Sequence, residues 1–171
     1  MIAIGEMAPD FTLPDTDGAE HSLPEGEVAV VIFTCNHCPY ALAWHDRILQ
    51  VARDYEHVHF LAINPNDAER YPADSYEAMR ERVERDGGWP LPYLRDESQE
   101  VARSYGARTT PHVFVVDAEH QVRYAGAPDP DHRNPDHAAS WLREALDAVL
   151  AGEEPTRSET EPVGCSVKWK R

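Results

Sequence analysis

VAVVIFTCNHCPY, residues 28–40, joins a continuous apolar run to two cysteines and then to a helical pattern. The apolar run over 28–34 is typical of a strand that is covered on both faces. Pro39 is tolerated in the first turn of a helix, and the spacing of later apolar residues predicts a helix from about Cys38 to Tyr55. The thiols of Cys35 and Cys38 therefore lie at a strand-to-helix junction, where they can close a small disulfide ring and reopen it. The helix N-terminus favours a thiolate on Cys35, which is the reactive form of the thiol.

The order of the elements predicts a mixed sheet. Residues 58–64 form the next buried strand, so strand, helix and strand imply a right-handed crossover and parallel pairing. Residues 112–116 and 121–124 read as two further strands, which the short turn between them makes antiparallel. An N-terminal β-hairpin precedes the sheet, with strands near 8–15 and 21–23. The sequence therefore predicts an α/β fold with a central mixed β-sheet flanked by helices.

Three helical patterns follow the first one. In the region 65–92, Asp74 with Glu77 forms a capping-box pattern, and Gly87-Gly88 ends that helix. A short helix is expected from Asp96, and the last helix from Asn134 and Pro135 to Gly152. Residues 153–163 are charged and contain proline, so they are interpreted as a loose linker. We predict a domain over 1–152, and a linker with a cysteine-containing tail over 153–171 that packs on it.

Charge and composition limit the function. The formal net charge is −15 and the apolar fraction 42%, which indicates a globular chain that repels nucleic acid and anionic membranes. The N-terminus has neither a basic region nor an apolar one of the signal-peptide type, so a cytoplasmic location is expected. In that compartment thiols are mostly reduced, and the 3 cysteines of this chain suggest chemistry rather than structural disulfides.

Four pieces of sequence resemble the peroxiredoxin-like branch of the thioredoxin superfamily, of the redoxin or alkyl hydroperoxide reductase/thiol-specific antioxidant type. They are Ala8-Pro9-Asp10-Phe11, residues 34–40, Thr109-Thr110-Pro111 with the strand that follows, and Gly164-Cys165-Ser166-Val167-Lys168-Trp169. The resemblance implies a three-layer thioredoxin-like fold in which residues 65–92 are an insertion. It also implies a thiol–disulfide oxidoreductase that needs no cofactor.

The resemblance assigns roles to individual residues. Cys35 becomes the attacking thiol at the exposed edge of the helix, and Cys38 becomes the buried thiol that resolves the mixed disulfide. Pro111 corresponds to the cis-proline that faces the dithiol, and it exposes the backbone of Thr110 for pairing with an extended substrate. Thioredoxins bury an aspartate six residues before the first cysteine, but Ala29 stands there in this chain.

Two further residues are candidates for tuning the dithiol. The imidazole of His37, between the cysteines, can favour the Cys35 thiolate and make the pair more oxidising. Cys165 is a candidate third redox cysteine, which can resolve a disulfide at Cys35 or form an alternative bridge. The alternatives are a solvent-facing histidine without a role and a terminal strand whose cysteine is incidental.

Two other functions stay open. A peroxidase would need a threonine three residues before the reactive cysteine, whereas Thr34 is adjacent to Cys35. A copper-binding assembly factor would use the two thiols with His37 or with His112, although a cis-proline would crowd the metal. We therefore predict no metal, and as partners a disulfide-bearing protein or small molecule and an unidentified thiol reductant. The chain is expected to be a monomer or a homodimer.

Overall fold

The computed structural model describes residues 2–171. Its centre is a five-stranded sheet in the order β5-β4-β3-β7-β8. β3 (Ala29–Phe33), β4 (His59–Asn64) and β5 (Tyr93–Arg95) are parallel, while β7 (His112–Val116) and β8 (Val122–Gly126) are antiparallel to their neighbours. The predicted α/β class with a central mixed sheet is therefore confirmed.

Helices cover both faces of this sheet. α1 (Pro39–Asp54), α2 (Tyr76–Arg85) and α4 (Ser140–Leu150) pack on one face with Val30 and Ile32. α3 (Glu100–Tyr105) packs on the other face with Ala29, Val31 and Phe33. β3 is buried throughout because its side chains alternate between these two cores.

Short strands complete the architecture. β1 (Leu13–Pro14) and β2 (Glu20–His21) form the N-terminal hairpin. β6 (Thr109–Thr110) pairs antiparallel with β9 (Cys165–Ser166), so the end of the chain lies beside the short strand that directly precedes β7. No helix within residues 2–171 is long and apolar enough to cross a membrane.

Two helix starts differ from the sequence prediction. Asp96 does not begin α3. Its carboxylate accepts from the Ala102 N–H at 2.9 Å, but Gln99, which lies between Asp96 and the first residue of α3, has a left-handed backbone conformation. Asn134 and Pro135 begin only a 3-10 turn, Pro135–His137. Ala138 and Ala139 then adopt positive φ angles, which break the helical path before α4 starts at Ser140.

The segment that the sequence suggested as a loose linker is attached to the sheet. Ala125 of β8 donates to the Ser158 carbonyl at 3.1 Å, and its own carbonyl accepts from the Thr160 N–H at 3.0 Å. The Thr160 hydroxyl also accepts from the Ala127 N–H at 2.9 Å. These bonds guide the chain along β8 toward its final strand, so the prediction of a loose linker was wrong.

Candidate active site

The C-x-x-C loop connects β3 to α1. Cys38 is the N-cap residue of α1, and Pro39 occupies the first helical position, where its missing N–H costs nothing. The Cys35 sulfur lies 3.2 Å from the Thr110 hydroxyl, and the Cys38 sulfur lies 3.1 Å from the Thr110 carbonyl oxygen. The peptide between Thr110 and Pro111 is cis, as the resemblance implies. The predicted residues therefore meet at one place.

Cys35 does not lie at an exposed edge. The exposed fraction is 1% for Cys35 and 0% for Cys38. The prediction of an accessible Cys35 was wrong for this arrangement, because the end of the chain and the insertion both reach the C-x-x-C loop. Cys165 and Tyr40 pack against the small cluster that the two thiols form with Ala41.

The two thiols share their protons unequally. The facing Cys38 thiol and burial raise the pKa of Cys35, and the Asp74 carboxylate adds to the rise, while the Thr110 hydroxyl and the His37 N–H oppose it. The pKa of Cys38 is lowered to about 4, first by the Cys35 thiol and then by the Cys165 thiol and the Ala41 and Cys165 N–H groups, against burial.

The Thr110 carbonyl favours a proton on Cys38, but two thiol donors and two N–H groups outweigh that single acceptor. The two thiols therefore ionise as a coupled pair, which carries one thiolate and one shared proton. Cys38 and not Cys35 is the residue next to the first turn of α1, and an effect of the helix N-terminus on the Cys35 thiolate stays a prediction.

The backbone of Thr110 is not free to pair with a substrate. Thr110 is fully buried, and it stands opposite Cys165 in the antiparallel pairing of β6 with β9. The Val167 N–H adds a bond of 3.1 Å to the Arg108 carbonyl. The edge that the resemblance assigns to a substrate strand is therefore occupied by this chain's own end.

Asp74 is a site residue, although the sequence pattern predicts a helix-capping role for it. Ser75, and not Asp74, is the N-cap of α2, since its side chain accepts from the Ala78 N–H. The Asp74 carboxylate is buried and accepts from the Asn36 N–H at 2.6 Å and from the Asn66 and Asn64 side-chain amides at 3.0 and 3.2 Å. No sequence signal distinguishes this buried carboxylate from a capping residue.

His37 also contacts Asp74, through Nδ1 and the second carboxylate oxygen. The His37 ring is 30% exposed and stacks on Tyr71 with the ring centroids 5.4 Å apart. It therefore connects the buried carboxylate with the surface of the molecule. Whether it tunes the dithiol stays a prediction.

Cys35, His37 and Asp74 are the group within residues 2–171 that could hold a metal, since one ligand atom from each lies within 4.8 Å of the others. A thiolate, an imidazole and a carboxylate mix soft and hard ligands, which suits Cu(I) less well than two thiolates would. His112, the other candidate copper ligand, uses Nδ1 to accept from the Arg108 N–H at 3.1 Å. Burial lowers the pKa of His112 to about 3, so this imidazole is neutral.

The insertion and the first residue of β5 hold the C-x-x-C loop in place. Arg82 of α2 donates to the Cys35 carbonyl at 3.2 Å and to the Asn36 side-chain oxygen at 2.9 Å. The Tyr93 hydroxyl donates to the same Asn36 oxygen at 2.7 Å, and the Asn36 amide donates to the Ala73 carbonyl at 2.9 Å. Arg82 and Tyr93 belong to no motif, so no pattern in the sequence marks them as site residues.

Comparison with known proteins places this geometry in a family. The model described as the AhpC/TSA family matches residues 4–125. The thiol-disulfide oxidoreductase ResA of Geobacillus thermodenitrificans (strain NG80-2) is 27% identical over 127 residues, which cover 71% of this chain and 68% of that protein.

Solved structures resemble the chain over a greater length. An uncharacterized conserved protein from Geobacillus kaustophilus has a TM-score of 0.90 and 38% identity, with 99% of this chain and 94% of that chain covered. A hypothetical protein from Sinorhizobium meliloti 1021 has a TM-score of 0.92 and 34% identity, with coverages of 99% and 96%.

A putative thioredoxin from Neisseria meningitidis has a TM-score of 0.67 at 23% identity, with 84% of this chain and 89% of that chain covered, and shares the fold. The predicted thioredoxin-like fold is thereby confirmed. Because the family model spans most of the sheet and the whole C-x-x-C loop, the chain belongs to the AhpC/TSA family.

Proposed function

We propose that this protein is a thiol–disulfide oxidoreductase whose Cys35 and Cys38 cycle between a dithiol and a disulfide. The observation that carries the proposal is the contact between the two thiols, each of which also touches Thr110. Similarity to a protein named thiol-disulfide oxidoreductase ResA supports the same reaction class.

The hydrogen-bonded pair supplies its own base. The pair carries one thiolate and one shared proton; when this proton lies on Cys38, where the Thr110 carbonyl accepts it, Cys35 is the nucleophile. The Thr110 hydroxyl donates to the new Cys35 thiolate across 3.2 Å. Proton transfer between the two sulfurs therefore takes the place of the buried aspartate that Ala29 replaces.

The redox step is a pair of exchanges. The Cys35 thiolate attacks a substrate disulfide, forms a mixed disulfide and releases one substrate thiolate. Cys38 then attacks the Cys35 sulfur, the second substrate thiolate leaves with a proton, and Cys35 and Cys38 are joined. The substrate disulfide gains two electrons and the protein dithiol loses two, which an external thiol reductant restores.

Access to Cys35 requires the end of the chain to move aside, because β9 covers Thr110 and Cys165 packs on the thiols. The C-terminal sequence from Gly164 to Trp169, which resembles that of the peroxiredoxin-like branch, is thus part of the site in our proposal. We further propose a disulfide-bearing protein as substrate and the cytoplasm as the place of action. A reducing compartment suits a dithiol that is used as a reductant.

Peroxide reduction is a second candidate, which the family and one contact favour. Thr34 does not provide the hydroxyl next to Cys35, since that hydroxyl belongs to Thr110 at 3.2 Å. A hydroxyl in this position can donate to a peroxide oxygen as well as to a sulfur. Peroxide consumption coupled to a thiol reductant, measured for the wild type and for Cys35→Ser, distinguishes this activity from disulfide reduction.

The test of the main proposal is reduction of insulin disulfides in the presence of dithiothreitol. We expect catalysis by the wild type, no catalysis by Cys35→Ser, and a stable mixed disulfide when Cys38→Ser is incubated with an oxidised protein substrate. Ser166→Ala, an exposed change in the same strand as Cys165, is the matched control. Equal rates for the wild type and Cys35→Ser would contradict the proposal.

A further inference from the structure

The last strand of the chain brings a third sulfur to the dithiol. In the pairing of β6 with β9, Cys165 stands opposite Thr110, and Thr110 is the residue that contacts both Cys35 and Cys38. The register of this short ladder therefore places the Cys165 side chain at the N-terminus of α1.

The contacts of Cys165 are with Cys38. The Cys165 thiol and its backbone N–H both reach the Cys38 sulfur. Cys35 instead contacts Cys38 and the Thr110 hydroxyl. The Cys38 sulfur is thus the one that contacts both of the other thiols.

The strand is fixed on both sides of Cys165. Gly164 passes so close to Thr110 that a β-carbon would lie 2.2 Å from the Thr110 carbonyl oxygen. After the strand, the Lys168 N–H donates to Asn66 at 2.9 Å, and the Lys168 carbonyl accepts from Asp67 and Gln99 at 2.8 and 2.9 Å. Cys165 is therefore held in position, rather than brought there by a free terminus.

We propose that Cys165 is a third redox-active thiol whose disulfide partner is Cys38. Starting from the Cys35–Cys38 disulfide, the Cys165 thiolate attacks the Cys38 sulfur. The Cys38–Cys165 bond forms, the Cys35–Cys38 bond breaks, and its electron pair leaves on Cys35, which takes up the proton that Cys165 has lost. The exchange needs no oxidant, and it rests on the proposed function, which supplies the first disulfide.

The environment of the three sulfurs supports this exchange. Burial and contact with Cys38 raise the pKa of Cys165 to about 11 in the reduced protein, while Lys168 opposes the rise. When Cys38 is part of a disulfide its negative charge is gone, so burial alone opposes ionisation of Cys165. The released Cys35 sulfur lies beside the Asp74 carboxylate, which raises the pKa of Cys35 and favours its reprotonation.

The result of the exchange is a covalent bond between the chain end and the start of α1. This bond keeps β9 paired with β6 at Thr110. Cys35 stays a thiol that β9 covers. A thiol reductant that cleaves the Cys38–Cys165 bond then returns the protein to the dithiol state. In this proposal, oxidation therefore closes the site that substrate must enter.

The test uses trypsin, because residues 1–47 and 158–168 form separate tryptic peptides that contain Cys35 with Cys38 and Cys165 alone. Wild type, Cys35→Ser, Cys38→Ser and Cys165→Ser are equilibrated in glutathione redox buffers, acid-quenched, alkylated and analysed by mass spectrometry. We expect the cross-link of 1–47 with 158–168 in Cys35→Ser to exceed that in Cys38→Ser by at least about tenfold, since disulfides form only within narrow distance limits.

Each other outcome has one meaning. Equal or greater cross-linking in Cys38→Ser overturns the assignment of Cys38 as partner. No cross-link in the wild type or in Cys35→Ser, while Cys165→Ser still forms the Cys35–Cys38 disulfide, overturns the inference and leaves the proposed function intact. Absence of the Cys35–Cys38 disulfide from Cys165→Ser and from the wild type overturns the proposed function itself.

Discussion

Gly164 crosses the carbonyl group of Thr110 at a distance that admits no side chain. A β-carbon on Gly164 would lie 2.2 Å from the Thr110 oxygen and 2.7 Å from its carbonyl carbon. The same oxygen lies 3.1 Å from the Cys38 sulfur. One backbone carbonyl therefore connects the end of the chain with the dithiol. A change that moves β9 is expected to alter the contact between this carbonyl and the Cys38 sulfur.

Gly164→Ala should displace β9 from Thr110. Because the obstacle is backbone, the strand must shift, and overpacking of this kind typically costs about 1–3 kcal/mol. We expect a lower free energy of unfolding in urea and faster alkylation of Cys35 by iodoacetamide in the folded protein.

Ser166→Ala is the control for Gly164→Ala, because Ser166 is exposed and lies in the same strand. It should leave the alkylation rate close to that of the wild type. If Gly164→Ala also leaves this rate unchanged, the end of the chain does not restrict access to Cys35.

Asp74→Asn should make Cys35 more reactive. The carboxylate raises the pKa of Cys35, so its removal lowers that pKa, and each pKa unit gives about tenfold more thiolate at neutral pH. The amide keeps one acceptor oxygen and turns its NH₂ group toward the donor on the other side, Asn36 or Asn66, so stability should fall by about 1–3 kcal/mol.

The measurement is the pH dependence of Cys35 alkylation, followed by peptide mapping. Asp67→Asn is the matched control, since Asp67 is a buried carboxylate of the same insertion that pairs with Arg70 instead. A Cys35 profile that Asp74→Asn does not shift would show that the carboxylate has no electrostatic effect on the thiol.

The reduced protein should carry a thiolate well below the usual range of thiol titration. With the pKa of Cys38 at about 4, ultraviolet thiolate absorbance should persist at neutral pH and disappear as the pH falls through that value. Cys38→Ser should abolish the signal, and Cys35→Ala should move its midpoint upward, because the Cys35 thiol is the largest cause of the lowering.

The same ionisation links the stability of the reduced protein to pH. The folded pKa lies below the ordinary value of 9.0, so the stabilisation is complete above the unfolded pKa and is lost as pH falls toward about 4. The unfolding free energy of the wild type minus that of Cys38→Ser should therefore rise with pH across this window. A difference in unfolding free energy that does not change with pH would show that Cys38 does not carry this ionisation.

Local sequence patterns predicted the sheet and the C-x-x-C loop. They did not predict which distant residues contact the two cysteines. The apolar run over 28–33 and the helical spacing after Pro39 each specify one element, and both lie where expected. Asp74 and Arg82 come from the insertion, and Cys165 from the last strand, so their meeting depends on long-range folding. Gln99, Ala138 and Ala139 have positive φ angles although none is a glycine, so no residue type in the sequence marks these breaks and two helix starts were misplaced.

Thr110→Val should slow disulfide reduction by the dithiol, although both sulfurs remain. The hydroxyl, 3.2 Å from the Cys35 sulfur, lowers the pKa of Cys35, and its loss leaves that thiolate with one donor fewer. A hydrogen bond worth about 1 kcal/mol corresponds to about fivefold slower insulin reduction. Thr110→Ser, which keeps the hydroxyl, should restore most of the rate; equal rates for both variants would exclude this role.

The central claim is that Cys35 and Cys38 form a reversible two-electron couple, and a redox titration measures it most directly. The protein is equilibrated across a series of glutathione buffers, quenched with acid, and mapped for free and bonded Cys35 and Cys38. In Cys165→Ser, where Cys35 and Cys38 can bond only to each other, we predict one reversible transition in which both sulfurs leave the thiol state together. Two thiols that stay free across the whole series, while the protein remains folded, would contradict the account.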